Sequence, residues 1–139
     1  MKPHLSLITL AVSDLERSLK FYRDGLGLPT QGIMGEEFEN GAVVFFDLHG
    51  GIKLALWPRP SLAHDSGVPQ EATPVGFSLA HNVGSAEEVD TVLQQAVSAG
   101  GSLTKAGSRA FWGGYTGYFQ DPDGHLWEGA WNPDLPPPA

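Results

Sequence analysis

The order of elements predicted along this chain occurs twice, and a duplicated unit can fold in few ways. Val12 aligns with Val83 and Asp14 with Ser85 at an offset of 71. Gly27 with Gly101, Asp47 with Asp121, Gly50 with Gly124 and Trp57 with Trp131 align at 74, so three extra residues, about one helical turn, fall in the second helix. In the first copy, residues 5–12 read as an apolar strand. Asp14, or Ser13 with Glu16 as a capping box, then opens a helix carried by Leu15, Leu19, Tyr22 and Leu26. Strands over 31–38, 42–47 and 52–57 complete it. In the second copy, 75–83 is a strand, and Ser85 with Glu88 opens a helix whose stripe is Val89, Leu93, Ala96 and Val97. Strands follow near 102–106, 114–120 and 125–131. The reading is one α+β domain, with module 1 at about 5–58, a Pro-, Ser- and Gly-rich linker at 59–74, and module 2 at about 75–133. Two tandem βαβββ modules would pair about a pseudo-twofold into an open half-barrel cup, with the helices on its outer face.

Charge and composition exclude several partners. The 139 residues suit a single core, and the absence of Cys removes disulfides, thiolate nucleophiles and thiol metal sites. A net charge of -8 with eight Lys and Arg opposes nucleic acid and anionic membranes, which bind through clustered cations. The opening MKPHLSLITLAVSDLERS is broken too early by Asp14 and Glu16 for a signal peptide or a span, which gives a cytoplasmic reading.

The stretch FWGGYTGYFQDPDGHLWEGAWNP, residues 111–133, reads as a hairpin around Asp121-Pro122-Asp123-Gly124. A four-residue loop would pair Phe119 with Leu126, Tyr118 with Trp127, Gly117 with Glu128 and Tyr115 with Ala130. Tyr115, Gly117, Phe119 and Glu128 would then share one face, with open space beside Glu128 opposite Gly117. Glu128 is the candidate catalytic base or hydrogen-bond acceptor, and Leu54 is its counterpart in the first copy. The candidate ligand-binding residues are Thr9, Phe45, Leu54, Ser78, Asn82, Trp112, Tyr115 and Phe119, the three aromatics stacking on a flat ligand where Gly113, Gly114 and Gly117 leave room. His81 turns from that face and reads as a histidine packed beneath the helix. No G-x-S-x-G elbow or Ser beside His supports a nucleophilic hydrolase.

The segments LITLAVSDLERSLKFYRDGLGL, AHNVGSAEEVD and GYFQDPDGHLWEGAWNP resemble the vicinal oxygen chelate superfamily, which includes glyoxalase I, extradiol dioxygenases and bleomycin-resistance proteins. The resemblance runs over residues 5–133. It implies a divalent cation held by His or Glu from the first and last strands of each module. Here those positions are Leu7, Leu54, Ser78 and Glu128, so Glu128 is the one retained ligand position and a metal is disfavoured. The cofactor is left unknown. The resemblance also implies a homodimer. The function read is a small-molecule-binding protein of the glyoxalase/bleomycin-resistance type, its cup taking an apolar or aromatic ligand without the usual metal. The alternatives are a metal-dependent glyoxalase-like lyase, isomerase or dioxygenase, and a non-catalytic interaction module.

Overall fold

The computed structural model describes residues 1–71 and 76–134. The chain divides into two compact units, Met1–Ala72 and Thr73–Ala139. In the first, β1 (Leu7–Val12) leads into α1 (Leu15–Leu19), which widens into a π-helical turn over Lys20–Gly25. Next come β2 (Thr30–Met34), β3 (Val43–Asp47), β4 (Lys53–Pro58) and α2 (Arg59–Ser66), with the sheet ordered β1-β4-β3-β2. Asp14 is the helix cap, its side chain accepting from the Arg17 N–H at 3.1 Å, which satisfies a donor that the first turn would otherwise orphan. Leu19, Phe21 and Tyr22 are buried, and the Tyr22 ring meets Phe46 of β3 at 5.9 Å. Strand alternation places Leu10, Val44, Phe46, Leu54 and Leu56 on this helix-covered face.

The second unit repeats the plan with β5 (Leu79–Asn82), α3 (Ala86–Ser98), β6 (Ser102–Arg109), β7 (Tyr115–Gln120) and β8 (Leu126–Trp131), ordered β5-β8-β7-β6. A full capping box starts α3. The Glu88 N–H donates to Ser85 Oγ at 3.2 Å, and the Gly84 N–H donates to Glu88 Oε2 at 3.0 Å. Val89, Leu93 and Ala96 are buried as a stripe against β6, β7 and β8, whereas Val97, one step further round the helix, is exposed. In both units the first strand runs parallel to the last and the remaining pairs are antiparallel. The fold is therefore α+β, a βαβββ module used twice, with neither sheet closed. No helix of the described residues is long and apolar enough to cross a membrane.

The structure corrects the repeat by one residue. Gly27 and Gly100 share a positive φ (77° and 111°), as do Gly51 and Gly124 (82° and 85°). The Leu48 N–H bonds Ile52 O just as the Asp121 N–H bonds His125 O, each at 3.0 Å. All of these lie 73 apart, not 74. Two residues, not three, separate the copies after the caps, matching 13 residues in α3 against the 11 from Leu15 to Gly25. The supposed linker is also partly helical. Pro60 sits in the first turn of α2 and Gly67 ends it at φ 75°, a Pro-start and Gly-stop pattern present in the sequence and passed over. The close of that linker and Val75 lie outside the described residues.

Candidate active face

The turn before β8 sets which side chains can meet. Asp121 accepts on Oδ1 from the Asp123 N–H at 2.9 Å and the His125 N–H at 2.8 Å, and its own N–H donates to His125 O. This side-chain-closed turn takes in five residues, 121–125, with Gly124 in the left-handed region that a side chain resists. His125 thus belongs to the turn. The pairs are Gln120 with Leu126, Phe119 with Trp127, Tyr118 with Glu128, Gly117 with Gly129 and Tyr115 with Trp131. One residue of slip exchanges the faces.

Several expected site residues accordingly lie on the other side of the sheet. Tyr115, Gly117 and Phe119 face α3, away from Glu128. Phe119 is 1% exposed and stacks on Trp127 with ring centroids 6.0 Å apart. The Tyr115 hydroxyl donates to Asp90 of α3 at 2.8 Å; that hydrogen bond, then burial and the Asp90 charge, raise its pKa above the ordinary 10.0, with Arg109 opposing. The space above Gly117 is filled by Leu93. Leu54 likewise pairs with Phe46 on the helix side, so the first-unit counterpart of Glu128 is Ala55, flanked by Thr9 and Phe45. Trp112 is 43% exposed and lies over Gly114 of its own loop. His81, in register with Gly129, is exposed and not packed beneath the helix as expected.

What the structure does assemble is a polar row on the face of the second sheet turned away from α3. Lys105 of β6, Tyr118 of β7, Glu128 of β8 and Ala80 of β5 occupy successive register positions, with Gln120, Leu126 and Ser78 on one side and Thr116, Ala130 and Asn82 on the other. The Tyr118 hydroxyl donates to Glu128 Oε2 at 3.0 Å in a part-buried setting. That hydrogen bond, then burial and the carboxylate charge, push the phenol above its ordinary 10.0. A concavity of about 680 Å³ opens here, lined by Ser78, Lys105, Tyr118, Gln120 and Leu126 among others. In the first unit, Phe45 borders a separate concavity of about 490 Å³ whose rim carries the Lys53–Asp47 ion pair at 2.6 Å. Tyr118 and Gln120 were missed in the sequence because their side follows from the turn length, and Lys105 because its direction follows from the bulges of β6. The signal available was the Asp121 side chain, which favours a turn closed on itself.

The donors present do not fit a divalent cation. Leu7 and Ala55 offer no ligand atom and Ser78 offers a hydroxyl, which leaves Glu128 as the one carboxylate among the four positions. Among the described residues no three His, Cys, Asp or Glu come together.

A βαβββ module used twice, with each first strand parallel to its own last strand and one sheet face left uncovered by helix, defines the glyoxalase-like class of duplicated α+β folds. The chain belongs to the Glyoxalase/Bleomycin resistance protein/Dioxygenase superfamily, whose family model matches residues 4–128. It is 37% identical to a glyoxalase-related enzyme from Fulvimarina pelagi, with a TM-score of 0.86 over 99% of this chain and 94% of that one. A glyoxalase/bleomycin resistance protein/dioxygenase from Nocardioides is 26% identical, with a TM-score of 0.75 over 100% of this chain and 89% of that one. A lactoylglutathione lyase from Agrobacterium tumefaciens shares the fold at 21% identity, with a TM-score of 0.67 and 94% of each chain covered.

Proposed function

We propose that this chain binds a small organic molecule on the face of its second sheet turned away from α3, and that Tyr118 and Glu128 form the polar centre of that site. The observation that carries the reading is the Tyr118–Glu128 hydrogen bond at the edge of an open concavity of about 680 Å³, which Tyr118 lines and Glu128 adjoins through it. The Tyr118 phenol occupies Oε2 of Glu128, and no Lys or Arg pairs with that carboxylate among the described residues, which leaves its other oxygen as an acceptor for a ligand donor. Phe77 and Leu126 supply apolar walls for the rest of the molecule. The test is a thermal-shift screen of aromatic and polar metabolites, since a ligand at 100 times its Kd adds about 2.7 kcal/mol. Hits should be lost in Glu128→Gln and weakened in Tyr118→Phe. Hits indifferent to both substitutions refute the site.

A second reading, proton transfer on the bound molecule, is favoured by the likeness to the glyoxalase-related enzyme. Glu128 would then be the base and Tyr118 the group that positions it. No step is routed through a metal. Homodimer assembly belongs to the same proposal and rests on the family resemblance; light scattering at micromolar concentration giving the monomer mass refutes it.

A further inference from the structure

We propose that the ligand of this face carries an anionic group, a carboxylate or a phosphate, and that Lys105 is its counter-ion and the residue that selects it. The inference rests on the reading that ligand sits beside Tyr118 and Glu128, and it adds the ligand's chemical class. Three observations carry it.

The first is backbone geometry. Neighbouring residues on a regular strand point to opposite faces, yet Thr104 and Lys105 both line the same concavity. The cause is an irregular strand. The β6–β7 register slips between Leu103 and Lys105 and again between Lys105 and Ser108, so the lysine lies between two bulges, which re-aim side chains. The second slip brings Gly107 under the Asp90–Tyr115 pair, where a Cβ would overlap both partners, so the distortion is anchored on the helix side.

The second observation is charge. Residues 73–139 contain seven Asp and Glu but only Lys105 and Arg109 as Lys or Arg. Arg109 pairs in register with Tyr115 and contributes to the field around that phenol on the helix side. Lys105 is thus the one Lys or Arg of this unit that lines the concavity, in a unit whose net charge repels anions elsewhere.

The third is that its charge is not consumed internally. Among the described residues Lys105 makes no ion pair. Glu128 stands in the same row but two strands away, roughly 10 Å at ordinary strand spacing, with Tyr118 between them. A cation, a phenol and a carboxylate at these intervals complement a molecule with an anion at one end and a hydroxyl or amine donor at the other. Thr104 adds a hydroxyl donor next to the cationic end, and Ser78 adds one at the far edge, beyond β8.

Three probes that differ only in the polar group test this: 4-hydroxybenzoate, 4-hydroxyphenyl phosphate and the neutral 4-hydroxybenzamide. Each is titrated at low salt into the full chain, with backbone and Lys amine NMR shifts followed. The expected result is saturable shifts at Ser78, Thr104, Lys105, Tyr118 and Gln120, with one or both anions binding about tenfold or more tighter than the amide, the size of one charge-assisted hydrogen bond. Which anion binds better identifies carboxylate or phosphate as the natural group. Lys105→Met should reduce the anions to the level of the amide while Lys105→Arg keeps most of the preference. The side chain is exposed, and an unchanged spectrum elsewhere verifies that the variants fold. If the amide binds those residues as well as the anions, or Lys105→Met keeps the preference, the anion inference falls and the binding site stands. If no probe shifts those residues, both fall.

Discussion

Gly117 and Gly129 face each other across β7 and β8 beneath α3, and substituting each by Ala should have opposite effects. A methyl on Gly117 would overlap Leu93 Cδ1 and stand 3.0 Å from Lys105 O and 3.1 Å from Gly107 N. Backbone on one side and a leucine only 4% exposed on the other leave nothing that can move cheaply. Overpacking of this kind costs about 1–3 kcal/mol. A methyl on Gly129 finds its nearest neighbours, on Leu93, Val89 and Val92, at 3.7–3.9 Å, ordinary contact. Neither glycine has a positive φ, so Gly129→Ala should gain about 0.4–1 kcal/mol from a less flexible unfolded chain. At roughly 3–5 °C per kcal/mol for a chain of this size, Gly117→Ala should melt roughly 3–15 °C lower and Gly129→Ala slightly higher. Urea unfolding followed by Trp fluorescence at unchanged m-value gives the same difference as free energy. Leu93→Ala alone removes a buried leucine, at about 2–5 kcal/mol, but in the Gly117→Ala background it should cost less, because the new methyl occupies part of the hole. Equal melting of the two alanine variants would refute the packing argument. So would strict additivity with Leu93→Ala.

Other measurements address the polar row and the helix cap. Ultraviolet titration should place the Tyr118 phenol closer to the ordinary 10.0 in Glu128→Gln, and that of Tyr115 closer in Asp90→Asn, because each variant removes the leading cause of the upward shift. A raised phenol pKa stabilises the fold below the unfolded value and is lost as pH climbs through the folded one, so wild type should lose more stability above about pH 10 than Glu128→Gln does; parallel curves would contradict this. Near neutral pH, Glu128→Gln should melt close to wild type, and a fall of many degrees would mark Glu128 as scaffold. Ser85→Ala should cost about 0.5–2 kcal/mol in urea by removing the α3 cap, and no loss would show that Glu88 alone holds the first turn. Protein purified without added metal should carry substoichiometric Zn, Ni, Fe and Mn on elemental analysis; a full equivalent released by Glu128→Gln would restore the metal reading.

The duplicated βαβββ plan was legible in the sequence because its signals are local: an acidic or hydroxyl cap, a helical stripe, glycines at the turns. Asp14 and Ser85 cap as their chemistry requires. Which face each candidate residue takes was legible only in part. Glu128 lies on the face turned from the helix with Ser78 and Asn82 of its own unit, and Thr9 and Phe45 lie on that of theirs, but Leu54, Tyr115 and Phe119 do not. A pairing register depends on how many residues a turn contains, and that was decided by two hydrogen bonds to Asp121 that a count of turn formers does not include. Lys105 was invisible for a related reason, since its direction comes from bulges that appear only when β6 is laid against β7.

Turn length has a further consequence for how such a protein can change. Because both copies close β3–β4 and β7–β8 with the same five-residue span, a substitution on the face turned from the helix leaves the helix-side packing alone. Losing or gaining one residue in 121–125 would do the opposite, sending Trp127 and Gly129 outward and Glu128 under Leu93 at a single stroke. In the second copy the Asp121 side chain holds that count, and in the first, where Leu48 takes its place, the backbone bond from Leu48 to Ile52 closes the same span. The fixed count keeps the face turned from the helix free to vary by walling it off from the helix-side packing, and it makes the shortest insertions in this turn more damaging than most substitutions there.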